Sequence, residues 1–317
     1  MRRTVGLWCA ALLLVGLVPF GPPAQASPLN EFIHYPLPHP NSAPNYIAVG
    51  SDGALWFTEG AGRIGRITVS GSITEFPVPS GNGDPLQIAA GPDGNLWFTE
   101  YVAGRIGRIT TGGVVTEFPI PGGGSPEGIT TGPDGNIWFA DWFDRIGRLT
   151  PAGAFTMFPT SFVAGNFGIT TGPDGALWFT EYLRGAIGRI TTSGVVSEFP
   201  VPDSGSPAGI TTGPDGNIWF TEDYEYEIGR LTLAGEFKVT HTPQVGSGPI
   251  AITPGPRGYL WFTEQRNYRI GRVGMKGKVM ESAAKLAAPT GVVEGPDGNM
   301  WICNSSANEI AVHPLPH

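Results

Sequence analysis

Seven tryptophans, Trp56, Trp97, Trp138, Trp178, Trp219, Trp261 and Trp301, follow one another at intervals of 41, 41, 40, 41, 42 and 40 residues. An aromatic marker returning about every 40 residues is the mark of a radial repeat, whose units cannot bury their apolar faces alone and must pack on their neighbours. The unit that starts at Pro126 reads PEGITTGPDGNIWFADWFDRIGRLTPAGAFTMFP, and most other units keep its order. Ile129-Thr130-Thr131 is read as an innermost strand and Pro133-Asp134-Gly135 as a hairpin turn, because Asp-Gly supplies positive φ. Ile137-Trp138-Phe139, Ile146 to Thr150 and Phe155 to Phe158 follow as second, third and outer strands. Adjacent apolar residues such as Leu-Trp-Phe fit a sheet packed on both faces. A 3.6-residue period is never sustained between the glycines and prolines, so helices are excluded.

The expected fold is therefore all-β, a seven-bladed β-propeller of four-stranded blades. A lone outer strand, Asn30 to Pro36, precedes the first full unit, and the last unit stops after its third strand near Ile310 to His313. The N-terminal strand is predicted to complete the last blade and close the ring.

Before that strand, a basic start at Arg2-Arg3, an apolar stretch from Leu7 to Phe20 and Ala24-Gln25-Ala26 read as a secretory signal peptide cleaved near Ala26. Residues 1–26 are thus expected to be leader and 27–317 a single exported domain. After cleavage only Cys303 remains, so no internal disulfide can form. Loss of Arg2 and Arg3 takes the formal charge from −8 to about −10, against nucleic acid or an anionic membrane as partner. No later stretch is long and apolar enough to span a bilayer. The expected state is a monomer.

A residue present in every blade is first a fold residue. On that ground the turn aspartates Asp93, Asp134, Asp174, Asp215 and Asp297 are hairpin rather than calcium residues. Arg66, Arg108, Arg148, Arg189, Arg230 and Arg272 are read as structural. Glu59, Glu100, Glu181, Glu222 and Glu264 end the second strands, with Asp141 just beyond its strand, and form an expected carboxylate ring on one face. Site residues are sought where blades differ on that face. The residue after the recurring proline gives Asn45, Leu86, Glu127, Phe167, Ala208, Ile250 and Thr290. Loops leaving the second strands add Tyr101, Trp142, Phe143, Tyr182, Tyr224, Tyr226 and Tyr268. The candidate ligand-binding set is Asn45, Tyr101, Glu127, Trp142, Phe167, Tyr182, Tyr224, Tyr268 and Thr290. Two readings stand: an aromatic rim around an apolar mouth for a small molecule, macrocyclic peptide or glycan, or rings that only cover loops. No catalytic set is evident, Glu127 being the single candidate base. No metal site is expected from His34, His39 and His313, and Cys303 is read as a buried small residue.

The strings I-T-x-G-P-D-G-x-[LI]-W-F-T-E, I-G-R-I-T and x-E-F-P-[VI]-P, spread from Glu31 to Val312, resemble those of the virginiamycin B lyase (streptogramin lyase) family. The resemblance implies a propeller and a magnesium-dependent elimination that opens cyclic type B streptogramins at the ester. It also implies a histidine after the proline in each of the last two blades and two glutamates in the last blade. This sequence holds Ile250 and Thr290 at the histidine positions and Ala288 and Asn304 at the glutamate positions. Magnesium is expected only if that chemistry is retained. Three functions follow: a binding propeller lacking the family's catalytic set, a lyase acting through other residues, or an extracellular scaffold.

Overall fold

A computed structural model describes residues 31–81, 83–160, 165–202 and 205–316; the expected leader, residues 1–26, lies outside them. The described strands form seven four-stranded antiparallel sheets, six of them built from consecutive strands. The seventh is completed by Ile33–Pro36, which pairs with Glu309–His313 in the register Ile33↔Val312 to Pro36↔Glu309. Blades 1 to 6 start at Pro44, Pro85, Pro126, Asn166, Pro207 and Pro249, and blade 7 at Pro289.

In blade 3 the inner strand spans Pro126–Thr131, longer than expected, with a register shift between Pro126 and Ile129. The second strand is Ile137–Asp141, the third Arg145–Leu149 and the outer one Phe155–Pro159. Asp141 does not lie beyond its strand: it is the terminal residue opposite Pro126, the same register as Glu59 opposite Pro44. The bulge brings inner strands close together at the hub. A Cβ on Gly128 would stand 2.5 Å from the carbonyl oxygen of Phe167 in the next blade, so only glycine fits there.

Each tryptophan packs against the following blade. Trp97 clusters with Ile129, Ile137, Phe139 and Leu149, and Trp301 of blade 7 with Ile47, Leu55, Phe57 and Ile67 of blade 1. The outer-strand aromatic covers the indole from the other side: Phe76 on Trp56, Phe118 on Trp97, Phe158 on Trp138 and Phe199 on Trp178, with centroids 5.4–5.6 Å apart. Tyr35 stacks on Trp301 in the same way at 5.8 Å. The N-terminal strand is therefore the fourth strand of blade 7 in side-chain role as well as in pairing.

The turn aspartates do more than turn. Asp93 accepts the Trp97 Nε1–H at 3.0 Å and approaches Arg108 at 3.8 Å, and Arg108 lies over the indole at 5.4 Å. Blade 6 has Arg257 where the others have aspartate, and there the Trp261 Nε1–H is buried without a partner. Blades are also tied at the hub by the threonine of the second strand. Thr99 Oγ1 donates to the Glu127 carbonyl at 2.8 Å, and Thr58, Thr180, Thr221 and Thr263 make the equivalent bond. Blades 3 and 7 carry Ala140 and Cys303 instead. In their place Asn166 donates to the Asp141 carbonyl at 3.2 Å, and Thr290 donates to the Pro44 carbonyl at 3.1 Å. Cys303 is free and fully buried, and burial pushes its thiol up.

The histidines are dispersed. His34 meets Glu309 at 2.6 Å, His39 meets Glu75, and His241 meets Glu227 at 2.7 Å. His313 is buried, with Nδ1 3.0 Å from the Glu31 carbonyl oxygen.

Candidate functional site

The starts of the inner strands surround a cavity of about 390 Å³ at one end of the ring axis. Asn45 and Tyr46 reach it from blade 1, Asp84, Leu86 and Tyr101 from the blade 2 side, Glu127 from blade 3 and Phe167 from blade 4. Ile250, Gln265 and Thr290 complete it from blades 6 and 7. A second cavity of about 320 Å³ lies further along the same inner strands. Tyr46 lines both and stands between them. Its position explains this: blades 3, 4, 5 and 7 have glycine there, whereas blades 1, 2 and 6 have Tyr46, Gln87 and Ala251, whose side chains enter the hub.

Charge is confined to one side. Glu127 is 7% exposed, faces the cavity and has no hydrogen-bond or ion-pair partner among the described residues. Burial raises its carboxyl to about 8, and the charge of Asp84 pushes the same way. The Asp84 carboxyl is also raised by burial. Burial raises the Tyr46 hydroxyl strongly, and burial with the charges of Glu127 and Asp84 raises that of Tyr101. These shifts share a cause: carboxylates and phenols lie in a low-dielectric hollow without a cation to balance them. Among the described residues no lysine, arginine or histidine lines it.

Asp84 and Gln265 were not among the expected site residues. Asp84 precedes Pro85 and has φ 53°, as Ala43 and Ala288 before Pro44 and Pro289 have φ 51° and 55°. Asp tolerates that left-handed conformation better than most residues. The residues preceding the inner strands, Ala43, Asp84, Ser125, Gly165, Ser206, Gly248 and Ala288, hold a single charge, and aligning them is the signal that finds it. Gln265 follows the second strand, where Tyr101, Trp142 and Tyr182 stand in other blades.

Of the expected set, Asn45, Tyr101, Glu127, Phe167 and Thr290 meet in the cavity. Trp142, Tyr182 and Tyr224 form an arc across blades 3 to 5 beside it. Tyr182 lies 6.3 Å from Trp142, 6.0 Å from Phe167 and 6.3 Å from Tyr224. The arc is braced: the Tyr182 hydroxyl donates to Asp223 at 3.2 Å, Arg266 bonds the same carboxylate at 2.9 Å, and its guanidinium lies 4.6 Å from the Tyr224 ring. Tyr268 does not join them; it is exposed and lies outside the cavity lining.

The carboxylate ring does not line the mouth. Glu59, Glu100, Asp141, Glu181, Glu222 and Glu264 are all 1% exposed or less and lie under the connecting loops. Asp141 accepts backbone N–H bonds from Ser125 at 3.0 Å and Phe143 at 3.2 Å and pairs with Arg145 at 2.5 Å. Burial raises Glu59, Glu100 and Glu181 to about 7 and Glu264 to about 8.

The four positions that the resemblance marks as catalytic hold structural groups. Ile250 is an apolar wall of the cavity, and Thr290 spends its hydroxyl on the blade 7 to blade 1 junction. Asn304 accepts the Ala287 N–H at 2.5 Å and donates to Glu309 at 2.6 Å. Ala288 has only a methyl group, on left-handed backbone. This donor set does not fit magnesium, which requires carboxylate or other free oxygen ligands. Among the described residues no three His, Cys, Asp or Glu side chains converge as a metal site needs.

Solved structures carry the likeness further. A streptogramin B lyase superposes with TM-score 0.86 at 36% identity over 90% of this chain and 98% of the other. A catalytically inactive His→Ala variant of virginiamycin B lyase from Staphylococcus aureus, solved with quinupristin, gives 0.85 at 35% over 90% and 99%. A hydrazine synthase from Kuenenia stuttgartiensis, at 16% identity and TM-score 0.74, shares the fold alone. No curated protein sequence matches the chain. The model of the virginiamycin B lyase family matches residues 15–206 and 203–313. With nearly every blade inside those spans, the chain belongs to the virginiamycin B lyase family.

Proposed function

We propose that this propeller is an exported binding protein that holds a small molecule, macrocyclic peptide or glycan at its axial mouth without opening it. The observation that carries this reading is the fate of one set of positions: the mouth keeps a cavity of about 390 Å³, while Thr290 ties blade 7 to blade 1 and Asn304 bonds the loop before blade 7 and Glu309 within it. An elimination needs a base at the substrate's α-proton, and a missing general base alone costs about 10² to 10⁴ in rate. Export rests on the leader read in residues 1–26.

A second reading, a lyase with Glu127 as its base, is favoured by the carboxyl raised to about 8 at the mouth, a value suited to proton abstraction near neutral pH. One experiment separates the two. The protein is incubated with a type B streptogramin and magnesium, the product is followed by chromatography, and the melting temperature is recorded. A raised melting temperature without ring-opened product is expected. Opening at a rate like that of the family's enzymes overturns the binding reading, and its loss in Glu127→Gln then establishes the second.

A further inference from the structure

The geometry points to a ligand class for the mouth: we infer that it takes an organic cation, an apolar or aromatic body carrying a protonated amine. This rests on the binding reading above and narrows it. The case starts from Glu127, an acidic residue only 7% exposed whose side chain faces an open cavity and forms no hydrogen bond or ion pair among the described residues. A buried acid group is normally paired, since ionising it without a partner in a low-dielectric site is strongly unfavourable. The six buried carboxylates at the ends of the second strands lie under loops, whereas Glu127 looks into a volume large enough for a ligand. Asp84 stands with it at the same side of the cavity, and among the described residues the lining offers no lysine, arginine or histidine.

The walls agree with the charge. Tyr46, Tyr101 and Phe167 supply ring faces, and a cation over such a face within about 6 Å of its centroid is attracted by the ring quadrupole. Leu86 and Ile250 supply the apolar contact that an uncharged body needs. An anionic ligand would meet two acidic side chains, and a neutral apolar one would leave the Glu127 carboxyl without a polar partner. An ammonium group completes the site by supplying the missing partner.

A pH dependence follows. The titratable groups facing Glu127 are Asp84 from the loop before blade 2, Tyr101 from blade 2 and Tyr46 from blade 1. Blades 4, 6 and 7 contribute Phe167, Ile250, Gln265 and Thr290, none of which titrates. Glu127, raised to about 8, is largely protonated in the empty site at neutral pH. A bound cation favours its ionised form, so cation affinity rises as pH passes from 6 to 9.

The test uses three indole probes of one shape and different charge: tryptamine, N-acetyltryptamine and indole-3-acetate, each titrated calorimetrically into the full protein. Tryptamine is expected to bind at least tenfold more tightly than N-acetyltryptamine, with indole-3-acetate weakest, and to bind more tightly at pH 9 than at pH 6. Glu127→Gln, which preserves shape, is expected to bring tryptamine within about threefold of N-acetyltryptamine and to flatten the pH profile. Equal or tighter binding of the neutral probe overturns the cation assignment and leaves the pocket reading standing. A tryptamine preference that survives in both Glu127→Gln and Asp84→Asn overturns the role of the carboxylates. No binding by any probe at millimolar concentration overturns the cation assignment, while the streptogramin melting experiment decides the binding reading separately.

Discussion

The mouth of this ring has two unlike halves. Blades 1 to 3 present Asn45, Asp84, Tyr101 and Glu127, with both acids raised by burial and no balancing cation. Blades 6 and 7 present Ile250, Gln265 and Thr290, none ionisable. The backbone is nearly the same in both, because Asp84 and Ala288 share one left-handed conformation and Glu127 and Thr290 share one register position. A propeller can therefore move its reactive groups around the ring without altering the blades. The resemblance places the family's catalytic groups on blades 6 and 7, where this chain has an apolar wall and a hydrogen-bonded hydroxyl. Its unpaired acid lies across the axis.

The uncharged half depends on a non-covalent closure, which gives the largest expected effect. Ile33–Pro36 contributes four paired positions to blade 7, and Tyr35 covers Trp301. Deleting residues 27–40 removes both and leaves Glu309–His313 as an open sheet edge prone to association. A loss of about 4 kcal/mol, roughly 10 °C in melting temperature for a domain of this size, is expected. Thermal melting and light scattering check it. An unchanged melting temperature in a monomeric truncated protein would contradict the closure.

The acidic half is distinguished by pH. In the unfolded chain Glu127 titrates near about 4.3, whereas in the fold it titrates at about 8. The folded state thus holds the proton longer. Any stability tied to the neutral carboxyl is fully present below pH ~4.3 and is lost as pH rises through 8. Glu59, Glu100, Glu181 and Glu264 move in the same direction, so the native protein is expected to be more stable at pH 5 than at pH 9. Glu127→Gln isolates one contribution: denaturant titration should find it more stable than the native protein at pH 9 by about 2 kcal/mol and nearly equal at pH 5. Thr290→Val, on the opposite half, should lower stability by a similar amount at both pH values, since it removes a hydrogen bond and not a charge. A pH-independent difference for Glu127→Gln would show that its carboxyl is not held in a desolvated hollow.

How far these halves can be read without coordinates depends on repetition. The ring is legible because seven blades restate one interface: Trp301, Tyr35 and Ile33–Pro36 could be placed by matching them to Trp138, Phe158 and Phe155–Pro159. Glu127, Phe167 and Thr290 were legible for the opposite reason, as departures at one recurring position. Asp84 escaped because it precedes a proline, where the usual backbone preference is extended and the left-handed turn that carries it to the mouth leaves no motif. Tyr46 and Gln87 escaped because the repeat marks their position by a glycine whose role is close packing. The burial of the carboxylate ring escaped as well, since sequence places Glu59 and Glu264 on a face but does not show the loops that cover it.

The smallest expected effect concerns the arc of Trp142, Tyr182 and Tyr224, which stands beside the cavity and belongs to neither half. Phe167 joins it to the cavity lining, 6.0 Å from Tyr182. A ligand small enough to sit within about 390 Å³ would not need the arc, whereas a macrocycle that overfills the cavity would spread onto those rings. Size of ligand therefore tests whether the arc is part of the site. Trp142→Ala and Tyr182→Ala are each expected to weaken a type B streptogramin about tenfold, the loss of one rim ring, while leaving tryptamine unchanged. Both substitutions remove half-buried rings outside the blade cores, so melting temperatures should move by only a few degrees. Tyr182→Phe adds a finer measure: it keeps the ring but loses the bond to Asp223, and it should fall between the native protein and Tyr182→Ala if that bond fixes the ring's tilt. Equal weakening of both ligands would place the arc inside the site for small cations, and weakening of neither would leave these aromatics as a cover for the loops of blades 3 to 5.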